Sequence, residues 1–439
     1  VPEAAAARCR SLIMAVLCSA PELAVATRGP GRASPLGLAE LLQDGDARTL
    51  APYGLPLPAP ERLVQLGSCT ANAITPTLLA RHQRLGEDAS SAARLAERFG
   101  AARAVLAASG TDAEYTVALA MGPRPYVSVL MDPSEVGSGC VRAATGLPHT
   151  PGCPLPAPLP LRAKLDTTRL RDARGHALTQ DAIDTQVFAL AQRHAALPLL
   201  LHHVACSKTG LAAPSEAACR HLQARHPGGV RVVVDAAQGR CSPADVQRWL
   251  GWGWAVILTG SKFLGAPPFC GVTLLPQAWV DEASAPPPEL RPGPGVHARW
   301  RLALDTLDLL DALNARDPAA LARCHTAWRE ALAEALIPPL RRTLQGRSRA
   351  LWIDAGDALV RQGILSFDLG LGAEATRALH RALIPAGFFI GQPVTAGPRH
   401  LLRVALGAHT VLSAHANDAH AHDVLARLAH TLHRLLTRG

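Results

Sequence analysis

The chain has 439 residues, 48% of them hydrophobic and 18% charged, which allows a sizeable core and two domains. Its 44 basic and 35 acidic residues give a formal net charge of +9. The arginines are scattered, however, and aromatics make up only 4%, so nucleic-acid binding is disfavoured and an anionic small molecule fits the charge equally well. The ten cysteines have neither disulfide-framework nor zinc spacing, so a reducing, cytoplasmic setting without a metal is expected. No stretch approaches the about 20 apolar residues that span a membrane.

Residues 11–26, SLIMAVLCSAPELAVA, follow Arg8 and Arg10. They read either as a signal-peptide core or as an amphipathic N-terminal helix, and the helix is preferred because nothing else points to export. Residues 1–60 then form a helical arm ending in a proline-rich crossing, LAPYGLPLPAPERL. Apolar runs predict strands at 102–109, 125–131, 197–206, 230–237, 254–260 and 270–276, with helical patterns such as 181–194 and 215–225 between them. This alternation predicts an α/β fold with a mostly parallel sheet in a large domain over 61–290. The stretch PPPELRPGPG at 286–295 interrupts the pattern. Helices follow at 298–313 and 318–336, then a strand at 364–370, a helix at 374–387, a strand at 401–407 and a terminal helix. Residues 291–439 are therefore linking helices and a smaller C-terminal α/β domain.

Three elements sit where predicted strands end, the side of an open α/β sheet on which ligands bind. The first is Ser109-Gly110-Thr111-Asp112-Ala113-Glu114, a helix start whose backbone N–H groups suit an anion, though an ordinary N-cap has the same appearance. The second is Asp235 in VVVDAAQ, a carboxylate that needs a partner if buried. The third is Lys262, emerging after WAVILTGS. Lys262 and Asp235 read either as a structural ion pair or as parts of a site, and their combination with the anion site favours the site. A phosphate would take the helix start, a pyridinium nitrogen Asp235, and an aldehyde the Lys262 amine as a Schiff base.

The order SGTDAE, VDAAQ, GSK, GAPPFCG resembles the class V aminotransferase and cysteine-desulfurase-like group of fold type I pyridoxal-phosphate enzymes, from about residue 65 to the C-terminus. The resemblance implies a seven-stranded large-domain sheet, a homodimer and pyridoxal 5'-phosphate. It implies that Lys262 is the Schiff-base lysine, Asp235 the pyridinium partner and Gln238 a donor to the ring phenolate oxygen. Gly110, Thr111 and Ser261 would bind the phosphate, and Arg403 in LLRVALGAHT would grip a substrate α-carboxylate through a bidentate pair. The chain departs from the pattern in three places. Glu135-Val136 stands where Glu-His would stack an imidazole on the ring. Ser207, in Cys206-Ser207-Lys208-Thr209-Gly210, replaces an asparagine near the ring oxygen. Arg291-Pro292-Gly293-Pro294 has proline where a partner subunit's threonine would reach the phosphate.

Some residues keep two readings. Ser68, Thr70 and Asn72 in LGSCTANAITP are candidates for substrate contact or for a helix cap, and His202 and His203 for proton shuttling or for core packing. Cys270 opens a strand and Cys324 lies in a helical pattern, so persulfide chemistry on either is not expected. The expected function is aminotransferase-type chemistry on an amino acid or amino-acid-like substrate. The alternatives are a C–S (β-elimination) lyase or epimerase of the same fold, and a non-catalytic binding protein that keeps it.

Overall fold

Short apolar runs, each ending in a polar residue, build the central sheet of this chain. The computed structural model describes residues 54–85, 90–147, 163–282, 294–345, 350–354, 363–416 and 419–438. The arm before residue 54, with segment 11–26, and residues 291–293 lie outside these ranges. After β1 (Val64–Leu66) come β2 (Arg103–Ala107), β3 (Tyr126–Leu130), β4 (Ala163–Thr167), β5 (Leu199–Val204), β6 (Val230–Ala236), β7 (Ala255–Thr259) and β8 (Gly271–Leu275). These last seven form one sheet in the order β2-β8-β7-β6-β5-β3-β4, parallel except for β8.

Alternation along the strands covers both faces of this sheet. Val232, Val234, Val256 and Leu258 enter one core, while Val233, Ala255 and Ile257 enter the other. Helices α1 (Pro76–Leu85), α2 (Ser91–Phe99), α3 (Gly110–Ala120), α4 (Cys140–Ala143), α5 (Gln180–Arg193), α6 (Glu216–Arg225), α7 (Pro243–Gly251) and α8 (Gln277–Glu282) accompany it. Their starts are chemically marked. Ser109, Thr179 and Ser215 cap α3, α5 and α6, and Ser242 with Asp245 makes a capping box ahead of α7 with Pro243 in its first turn.

The 23-residue α9 (Pro294–Arg316) runs on against α1 and α2, where Arg81 pairs with Asp305 and also donates to Thr306 Oγ1 at 3.0 Å. Helices α10 (Ala320–Ala331) and α11 (Ile337–Gln345) follow, joined by a π-helical turn at Leu332–Leu336. The rest comprises β9 (Trp352–Ile353), β10 (Ile364–Asp368), α12 (Ala373–Leu383), β11 (Phe388–Ala396), β12 (Arg399–Ala405), α13 (Ala408–Ala416) and α14 (Ala419–Arg438). A second sheet has the order β1-β11-β12-β10-β9 and packs its apolar face on α10, α11 and α14 through Trp328, Leu340, Phe367, Leu402, Val404 and Leu428.

Four strands carry no clear sequence signal, β9 being only two residues long. β4 (AKLDT) is an edge strand bearing Lys164 and Asp166, charges that protect an edge but break an apolar pattern. β11 contains Gly391 and Pro393, and its pairing with β12 shifts register between Gly391 and Val394. β1 is three residues long and pairs in parallel with β11, so residues 64–66, placed by sequence in the large domain over 61–290, belong to the second sheet.

Candidate active site

The carboxyl ends of β3, β5, β6 and β7 meet β12 of the second sheet around a cavity of about 660 Å³, counting the space at its mouth. Lys262, Asp235, Gln238 and Arg403 all line it, as do Lys208 and Glu135.

Lys262 follows the end of β7 in a turn that admits little variation. A Cβ on Gly260 would fall 2.6 Å from Cys270 Sγ and 2.7 Å from Ala303 Cβ, so only glycine fits between β8 and α9. Beyond the lysine, Phe263 N donates to Gln238 O (3.3 Å) and Ala408 N to Phe263 O (2.7 Å), which ties the turn to the segment after β6 and to the start of α13. Asp235 lies on β6 in register with Ile257 of β7, and its Oδ1 accepts from Ala237 N at 3.0 Å. Burial pushes the Asp235 carboxyl above its usual value, and the Lys262 ammonium pulls it only part of the way back. Among the described residues the two form no direct ion pair, so the structural-pair reading lacks its contact.

Gly110 begins α3 directly against the ends of β6 and β7. A Cβ there would meet Thr259 Cγ2 at 3.2 Å and Ala237 Cβ at 3.3 Å. Ser109 holds the helix start, accepting from Asp112 N (3.1 Å) and donating to Asp112 Oδ2 (2.7 Å). Thr111 lies beside Gly137 of the cavity wall, and Ser261, buried, precedes Lys262. These three residues sit next to the wall and are not part of it.

Gln238 is buried, and Ser68 donates to its Oε1. With its oxygen so engaged, the amide keeps its nitrogen as a donor. Thr70 also lines the cavity, whereas Asn72 braces the turn after Lys262 by donating to Ala266 O at 3.1 Å. Arg403 lies on β12 opposite Gly391, where a Cβ would come within 3.0 Å of Arg403 Cβ and 3.3 Å of its guanidinium carbon. Glycine thus lets the guanidinium lie against β11. Its Nε donates to Gln392 O (2.9 Å) and its Nη1 to Lys208 O (2.6 Å), two of five available N–H groups.

Ser207 is not turned toward the cavity. Its Oγ donates to Glu135 Oε2 at 2.8 Å and accepts from Leu211 N at 3.0 Å. The cause is the buried Glu135, which also takes Arg171 Nε (2.6 Å) and Thr209 N (3.2 Å). Arg171 in turn donates to Asp354 Oδ2 (2.6 Å) and Gly175 O (2.9 Å), so an ion network links the wall to β9. Sequence reasoning missed Arg171 and Asp354, since no local pattern joins residues so far apart. It also passed over Lys208 beside Ser207; Lys208 lines the cavity, and its Nζ donates to Ser134 O at 3.2 Å.

Neither histidine lines the cavity. His202 Nδ1 faces Val129 O (3.0 Å) and Nε2 faces Glu114 Oε1 (2.5 Å), so acceptors stand at both ring nitrogens. Burial opposes protonation, but the Glu114 carboxylate outweighs it and raises the pKa. His203 donates from Nδ1 to Pro214 O at 2.7 Å and packs on Trp249 and Trp254; burial lowers its pKa. Cys270 is fully buried with its thiol pushed up to about 12, and Cys324 is buried in α10. Cys69 and Cys206, not singled out in the sequence, do reach the wall, with burial raising their thiols to about 11 and about 12.

No protein-family model matches the chain, and no curated protein matches it in sequence. Solved structures do match in shape. A serine palmitoyltransferase from Sphingomonas wittichii superposes with a TM-score of 0.51 at 16% identity, over 82% of this chain and 88% of that one. A serine palmitoyltransferase variant from S. paucimobilis with PLP and myriocin bound gives 0.53 at 14% identity, over 86% and 89%. A protein assigned as a histidinol-phosphate aminotransferase, from Erwinia carotovora atroseptica, gives 0.51 at 12% identity, over 86% and 96%. The fold is that of fold type I pyridoxal-phosphate transferases. At these identities the likeness is one of fold.

Proposed function

We propose that the chain is a pyridoxal-phosphate-dependent enzyme acting on an amino acid or amino-acid-like substrate by aminotransferase-type chemistry. The observation that carries this reading is the placement of Lys262 and Asp235 on one cavity, unpaired with each other, with Arg403 of the second sheet on the same wall. The residues fit the cofactor. A helix start that Gly110 lets pack closely on the ends of β6 and β7 suits a phosphate, a buried carboxylate suits a pyridinium, and Gln238 is an amide donor on the wall.

When bound, the cofactor would supply an aldehyde for amines and an electron-accepting ring. Asp235 would hold a proton on the ring nitrogen, and Gln238 would donate to the ring oxygen. Gly110, Thr111 and Ser261, just beyond the wall, would hold the phosphate. Arg403 would fix the substrate α-carboxylate, and Lys262 would move the proton at Cα. Class V membership is supported by the order of the motifs, since the structural neighbours share the wider fold type I architecture alone. The same reading makes the protein a cytoplasmic homodimer.

The test is a visible spectrum after adding pyridoxal phosphate, followed by keto-acid release from a panel of amino acids. A yellow band removed by hydroxylamine, with keto acid formed, is expected. A folded protein that develops no band contradicts the reading.

A further inference from the structure

Lys208 remains without a task once the cofactor and the α-carboxylate are placed. It lies on the cavity wall with Lys262 and Arg403, and among the described residues no carboxylate stands within ion-pair distance of it. Glu135, an acid of the same wall, is already held by Arg171, Ser207 and Thr209. One of the three Nζ protons goes to Ser134 O, which leaves two donors. The Lys208 carbonyl is held by Arg403 Nη1 at 2.6 Å, so the second cation is anchored to the first. Much of the surrounding wall is polar, with Ser68, Thr70, Ser138 and Gln392, and offers little to a large apolar side chain.

We propose that Lys208 binds a second anionic group on the substrate, and that the substrate class is the acidic α-amino acids, with Arg403 taking the α-carboxylate and Lys208 the side-chain carboxylate. This rests on the function proposed above and narrows it. A half-buried ammonium with no counter-charge is costly, and a substrate carboxylate provides the missing partner. Burial lowers the Lys208 pKa to about 8, helped by Arg403 on β12 and Lys262 after β7 and opposed by Cys140 on α4 and Glu135 after β3. Selectivity for acidic substrates therefore exists below about pH 8 and fades as the pH rises through it.

The experiment titrates cofactor-loaded protein with aspartate against asparagine and glutamate against glutamine, following the cofactor absorbance at pH 7 and pH 9. The wild type should favour the acidic member by about ten- to a hundredfold at pH 7. In Lys208→Met the ratio should fall to near one, and Lys208→Arg should restore part of it. A wild-type ratio near one, or a ratio unchanged in Lys208→Met, overturns the proposal while leaving the function standing. Failure of Lys208→Met alone to take up cofactor also overturns it, because the lysine would then belong to the cofactor's site. Absence of any cofactor band in the wild type removes both.

Discussion

Ser68 donates a hydrogen bond to Gln238 Oε1 across 170 residues of chain, and so engages the oxygen of that amide on the cavity wall. Ser68 comes from the segment after β1 and Gln238 from the turn after β6, so the contact joins the start of the described chain to the centre of the large sheet.

Ser68→Ala should therefore act through Gln238. Loss of one neutral hydrogen bond, ~1 kcal/mol, lowers affinity for pyridoxal phosphate about fivefold and shifts the pH titration of the bound cofactor's absorbance. In a Gln238→Ala background the same change should have no further effect. Additive losses in the double variant would show that Ser68 acts by another route.

Asp235 leads to a pH-dependent expectation. Its carboxyl titrates in the fold above the ordinary 3.8, so the stability tied to its proton is fully present below that value and is lost as pH rises through the raised one. At pH 7, without cofactor, Asp235→Asn should unfold at the same or a higher temperature than wild type, with the difference closing toward pH 4. Added pyridoxal phosphate should reverse the order, since only the carboxylate pairs with a pyridinium. Thermal denaturation at the two pH values, with and without cofactor, checks this; a cofactor-free Asn variant clearly weaker at pH 7 speaks against it.

Arg171→Met leaves Glu135 buried with its charge uncompensated, which should cost about 3–5 kcal/mol. Glu135→Gln keeps an acceptor for Ser207 and Thr209 but leaves Arg171 with the Asp354 carboxylate alone to balance its charge among the described residues. Both should lower the urea midpoint of cofactor-free protein, and a midpoint unmoved in Arg171→Met would mean the network of Glu135, Arg171 and Asp354 contributes nothing to the wall.

Much of this site was legible because its marks are local. In VVVDAAQ and WAVILTGSK a buried apolar run ends in one ionisable residue, and adjacent strand ends bring Asp235 and Lys262 onto one wall. What was not legible depends on distant partners. Ser207 looked like a cofactor donor until Glu135, 72 residues earlier, was found to hold its hydroxyl. Lys208 gave no signal of its own in a turn where its neighbour drew attention. Strand β11 was hidden by Gly391 and Pro393, the residues that let it bend and clear space for Arg403.

The central claim is that Lys262 is the amine that meets the cofactor, and Lys208 offers a built-in rival on the same wall. The direct measurement is borohydride reduction of protein incubated with pyridoxal phosphate, followed by peptide mapping by mass spectrometry. One phosphopyridoxyl group is expected, on Lys262, and none at any position in Lys262→Ala. A label on Lys208, or no stable label in folded wild-type protein, would contradict it.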